Sequence, residues 1–87
     1  MLPEQAILEV ETMLIDVEKY FRCGKLDPDW RRRVVVEIAH SDIILSELEA
    51  RHSMKIHILS EKQILTASRL RNQVQMLKDK ILSDRLS

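Results

Sequence analysis

One glycine and two prolines in 87 residues leave almost nothing from which to build tight turns. An antiparallel sheet needs such turns every several residues, so a β fold is excluded. Three aromatic side chains, Tyr20, Phe21 and Trp30, are too few for a base-stacking nucleic-acid platform. The single cysteine, Cys23, forbids an internal disulfide and points to a reducing compartment. No apolar run reaches the ~18 residues of a membrane span, and Met1-Leu2-Pro3-Glu4 lacks the regions of a secretory leader. The expectation is a soluble, cytoplasmic protein with no membrane partner.

The residues of catalysis are equally sparse. No glycine-rich phosphate loop, nucleophile elbow or CxxC pair is present. His40, His52 and His57 are never three or four residues apart, so no pair of them shares a helix face for a metal ion. Ser41 follows His40 directly, and adjacent helical side chains point about 100° apart, too far for a dyad. Cys23 lies between Arg22 and Lys25 and could gain some thiolate character, but a plain hairpin-end thiol is the simpler reading. No enzyme activity, metal or cofactor is expected.

What the chain does have is helix. Apolar residues make up 45% and charged residues 32%, the balance of helical bundles and coiled coils. Ile7, Val10, Leu14, Val17 and Phe21 recur at 3-4-3-4 spacing and predict a helix over about 3–22. Ala6, Met13 and Tyr20 flank that seam on one side and Leu8 and Ile15 on the other, which predicts a broad apolar face. Gly24 suits a left-handed C-terminal cap, Asp27 an N-cap, and Pro28 the first position of the next helix. A connection this short predicts an antiparallel hairpin, with the second helix over about 28–51 on the seam Val34, Ile38, Leu45 and Leu48.

Beyond residue 51 two architectures compete within one all-α domain. Val34 to Leu48 and Ala67, Leu70, Val74, Leu77, Ile81 form two clean seams that lose phase between His52 and Gln63. One long second helix, a coiled coil about 84 Å long from Pro28 to Ser83, would keep helical hydrogen bonding through a stutter. A turn near 52–61 would instead give a three-helix bundle, and Ser60 with Gln63 reads as a capping box before Ile64-Leu65; the last segment, a continuation or a third helix, is expected over about 54–83. The scarcity of turn residues tilts the balance to the long helix. Leu70, Val74, Leu77 and Ile81 would then overhang as an exposed seam in need of a partner.

Charge divides the same way. Residues 1–50 carry eleven acidic and six basic side chains, a net of −5, and residues 51–87 carry three and eight, a net of +5. Such halves favour folding together or pairing antiparallel with another chain. Arg31, Arg32 and Arg33 oppose the dipole at the start of their helix, so they either meet an anionic partner or pair with Asp27, Asp29 and Glu37. Trp30 could anchor a partner or plug the bundle end over Phe21 and Leu26. The expected function is a non-enzymatic protein–protein interaction module, an assembly adaptor or chaperone-type subunit. Its partner would be itself or another helical protein, in a homo- or hetero-oligomer. Its contact residues would be Trp30, Arg31, Arg32, Arg33, Leu70, Val74, Leu77 and Ile81. A nucleic-acid-associated regulator using the basic C-terminal helix is the alternative, disfavoured because its cations do not line one face.

The stretch Gly24-Lys25-Leu26-Asp27-Pro28, followed by Val35, Ile38, Ala39, Ile43 and Ile44 on a helix, resembles the hairpin turn of the small type III secretion needle-protein co-chaperones. The resemblance covers about residues 5–50. It implies a helical hairpin that helps a second chaperone keep a needle subunit from polymerising in the cytoplasm. The roughly 30 residues after Arg51 have no counterpart in that pattern and would be an additional arm.

Overall fold

The computed structural model describes residues 2–23 and 28–86. Three helices account for almost all of them: α1 Pro3–Cys23, α2 Trp30–Ser53 and α3 Glu61–Leu86. No strand occurs among the described residues. The chain is a three-helix bundle 43 Å long. Tyr20 lies by Arg33 and Met13 by Ser41, so α1 and α2 are antiparallel. Lys78 meets Asp42 and Arg71 meets Glu49, so α3 runs back along α2 and parallel to α1.

The first hairpin follows its pattern. Ile7, Val10, Leu14, Val17 and Phe21 are all buried, as are Val34, Ile38, Leu45 and Leu48. Fully buried Ser41 is small enough to let α1 approach, and its hydroxyl lies 3.9 Å from the Met13 sulfur. The apolar face of α1 is narrower than its composition suggests: Ala6 joins the core, while Leu8 and Ile15 are exposed. The expected caps at Gly24 and Asp27 lie outside the described residues. Pro28 and Asp29 form a turn ahead of the helix, which starts at Trp30 rather than at Pro28. Asp29 contributes its carbonyl to the first helical bond, from the Arg33 amide at 3.2 Å, and no side-chain cap.

The long helix does not form. Helix α2 ends at Ser53, and its last carbonyls are closed by a Schellman motif. The Ile56 amide donates to the Arg51 carbonyl at 2.9 Å and the Lys55 amide to the His52 carbonyl at 3.0 Å. Lys55 takes the left-handed angle, φ 60°, that glycine usually supplies. The connection is then pinned by the Leu59 amide donating to His52 Nδ1 at 3.0 Å. That bond requires an unprotonated Nδ1, hence the Nε2–H tautomer. The predicted capping box is present in both directions: the Ser60 amide donates to Gln63 Oε1 at 2.9 Å and the Gln63 amide to Ser60 Oγ at 3.2 Å.

Magnitudes explain why folding back wins. Closing a connection of seven residues costs about 2 kcal/mol in chain entropy. Burying Leu70, Val74 and Leu77 returns roughly 1.5–3 kcal/mol each as an upper estimate. The caps at both helix ends recover most of the backbone bonds that a straight helix would have made. The charge halves also meet. Arg71 reaches Asp42 at 3.5 Å and Glu49 at 2.7 Å, and Lys78 reaches Asp42 at 3.0 Å. These pairs are part-exposed and contribute about 0–1 kcal/mol each, so they set the register of α3 more than its stability.

Candidate interaction surface

Folding α3 onto the hairpin redistributes the residues that the sequence singles out. Leu70, Val74 and Leu77 are only 3%, 2% and 6% exposed and belong to the core, with Ile81 packed against it at the edge. The seam expected to overhang as a docking surface is therefore closed within the chain. Trp30 is likewise buried and meets Phe21 edge to face, ring centroids 5.6 Å apart at 69°. It plugs the bundle end and is not an exposed anchor. Arg31 covers the outside of that plug, its guanidinium 5.6 Å from the indole centroid. Arg33 donates to the Tyr20 hydroxyl at 3.4 Å. All three arginines are exposed.

The structure does join some of these residues. An open groove of about 310 Å³ between the start of α2 and the end of α3 is lined by Arg31, Arg32, Val35, Val36 and Ile81. It continues onto the outer face of α2, where Val36 and Ile43 are 61% and 60% exposed. Arg32, Val36, Ala39, Ile43, Ser46 and Ala50 follow one another at 4-3-4-3-4 spacing and are all exposed. Residues so spaced form one stripe about 27 Å long. At 100° per residue the stripe is centred almost opposite the buried face of Trp30, Val34, Ser41, Leu45 and Leu48. Helix α2 thus has two apolar faces, one in the core and one in solvent.

The sequence carried a signal for this second face. Val34-Val35-Val36 and Ile43-Ile44-Leu45 are runs of three apolar residues, and three consecutive helical residues fan over about 200°, so each run reaches beyond a single core face. Ile44 went inward and Ile43 outward. Further exposed apolar residues, Met54, Ile56, Ile58 and Leu65, gather at the other end of the bundle around the α2–α3 connection.

Buried polar groups are few. Glu37 Oε2 and His57 Nδ1 are buried and without a hydrogen-bond partner among the described residues. Burial first, and then the nearby Asp16 charge, hold the Glu37 carboxyl above the usual carboxylate range. No helix is long and apolar enough to cross a membrane. Among the described residues, no three His, Cys, Asp or Glu side chains are grouped to hold a metal ion. No protein family, curated protein or solved structure matches this chain.

Proposed function

We propose that this chain is a non-enzymatic helical interaction module, an assembly adaptor or chaperone-type subunit, acting through the outer face of α2. The observation that supports it is the heptad-spaced stripe Arg32, Val36, Ala39, Ile43, Ser46 and Ala50, entirely solvent-exposed and opposite the core face of the same helix. A helix apolar on both faces is the pattern of one buried on both sides. The groove at Arg31, Arg32, Val35, Val36 and Ile81 extends the stripe and gives it a basic rim.

A secretion co-chaperone of the needle-protein type is one form of such a subunit, and its support is the hairpin pattern of residues 5–50. The lone exposed thiol of Cys23 fits a cytoplasmic setting. Nucleic-acid binding by the basic third helix is the weaker reading. Arg71 and Lys78 are engaged with acids of α2, and Lys80 sits 4.9 Å over the Phe21 ring.

Site-specific photo-crosslinking tests the reading. A photoreactive side chain at Ala39 should give discrete adducts in the producing cell, whereas the same group at Glu61, on the polar start of α3, should not. Absence of any adduct from positions 36, 39 and 43 would sink it.

A further inference from the structure

The geometry points to a second copy of this chain as the occupant of the outer α2 face, docked antiparallel. This inference rests on the proposal that the face is an interface, and it names the partner.

Both side-chain size and charge select that occupant. Over its four central positions the stripe alternates large and small: Val36 and Ile43 occupy one set of heptad positions, and Ala39 and Ser46 the other, while the ends are large at Arg32 and small at Ala50. In an antiparallel pair, residues of the first set lie across from residues of the second. Ile43 of one copy then covers Ala39 of the other, Val36 covers Ser46, and the stem of Arg32 covers Ala50. Every layer sets a large side chain against a small one, the condition for close interdigitation. A parallel pair would instead stack Ile43 on Ile43 and leave Ala39 opposite Ala39, alternating crowded layers with empty ones.

The flanks agree. Arg31, Arg32 and Arg33 stand at one end of the stripe, and Glu47 at the other, while Glu49 is held by Arg71 of its own chain. Antiparallel docking about a two-fold axis on the outer face, at the height of residue 41, brings each arginine cluster alongside the other copy's Glu47. Parallel docking would set arginines on arginines and glutamates on glutamates, which is unfavourable. The contact is isologous and therefore closes at two copies. A single stripe flanked by the Val35–Ile81 groove lies toward the small end of specific interfaces, so the dimer should be reversible and concentration-dependent.

Sedimentation of the purified full chain over a range of concentrations tests the pairing. The expected result is a shift from the 10.2 kDa monomer toward twice that mass. Ile43→Asp should abolish the shift while leaving helicity intact, because Ile43 makes no part of the core. Glu47→Arg should weaken dimerisation roughly tenfold, since the altered contact occurs twice. Arg33→Glu combined with Glu47→Arg should restore it, because these two positions share a flank of the stripe and face each other across the antiparallel pair. A chain that stays monomeric at the highest soluble concentration overturns the self-pairing. If crosslinking at Ala39 then yields an adduct of another mass, the interface survives with a different occupant. If no adduct forms, both ideas fall. Failure of the double exchange to restore what Glu47→Arg loses would overturn the antiparallel arrangement.

Discussion

Lys55 holds a backbone angle that its own Cβ opposes, φ 60°, and its amide is committed to the His52 carbonyl. Those two facts separate substitutions that a turn would otherwise tolerate equally. Glycine keeps the amide and removes the Cβ clash, so Lys55→Gly should stabilise the fold by up to about 1 kcal/mol, the greater freedom of the unfolded chain taking back part of the gain. The presence of a turn alone predicts that proline is tolerated at this position. It is not, because its ring fixes φ near −65° and it has no N–H, so Lys55→Pro should cost about 3 kcal/mol or more. Chemical denaturation measures both, and equal stabilities for the two variants would contradict the Schellman geometry. Glu37 gives a pH-dependent counterpart. Its carboxyl is held above the usual range by burial and by Asp16, so the folded state binds its proton more tightly than the unfolded chain does. The stability this group contributes is therefore present below the unfolded carboxylate value, about 4.3, and is lost as pH rises through the folded value. Glu37→Gln should raise the melting temperature at neutral pH, and the gain should shrink on acidification toward about pH 4. A gain independent of pH would assign the effect to packing.

At the scale of elements, legibility followed how much local chemistry each feature needs. The seam of α1 is a 3-4-3-4 repeat in which one face decides everything, and Ile7 through Phe21 are buried as the spacing predicts. The start of α3 was legible too, because a capping box is written in two residues, Ser60 and Gln63. The end of α2 was not. A Schellman motif is ordinarily announced by glycine, and here a lysine supplies the left-handed residue, so only the loss of phase between His52 and Gln63 signals a break and nothing in Ser53–Leu59 separates a turn from a stutter. The outer stripe of α2 escaped for a different reason: its apolar residues interleave with the core seam, and only burial separates Ile43 from Ile44. The capping box gives this scale its own measurement. Ser60→Ala removes the acceptor for the Gln63 amide at 3.2 Å and should cost about 1 kcal/mol. Restoring the cap with Asp should recover most of it. Fraying would appear as loss of amide-exchange protection in the first turn of α3, and unchanged protection there would argue against the cap.

For the whole molecule, the turn at 54–60 decides what the apolar residues of the last third are for, and two aspartates distinguish the possibilities. Leu77 and Ile43 are comparable in size and both occupy heptad positions, yet one is 6% exposed and the other 60%. With a continuous long helix, Leu77→Asp would disturb only an intermolecular contact and leave each chain helical. In the bundle, the same substitution loses the burial and leaves a cavity, about 2–5 kcal/mol for truncation alone, before the cost of an unpaired buried charge. A domain this small has little more than the ~5 kcal/mol lower bound of native stability, so Leu77→Asp should abolish the cooperative thermal transition. Ile43→Asp should leave the monomer's melting within about 0.5 kcal/mol of the original, because a surface side chain carries little of the fold. Circular dichroism at low micromolar concentration, where a weak dimer dissociates, reads both. A Leu77→Asp chain that melts cooperatively with full helicity would return α3 to the role of an extended arm. A strongly destabilised Ile43→Asp chain would mean that the monomer cannot stand without its outer partner.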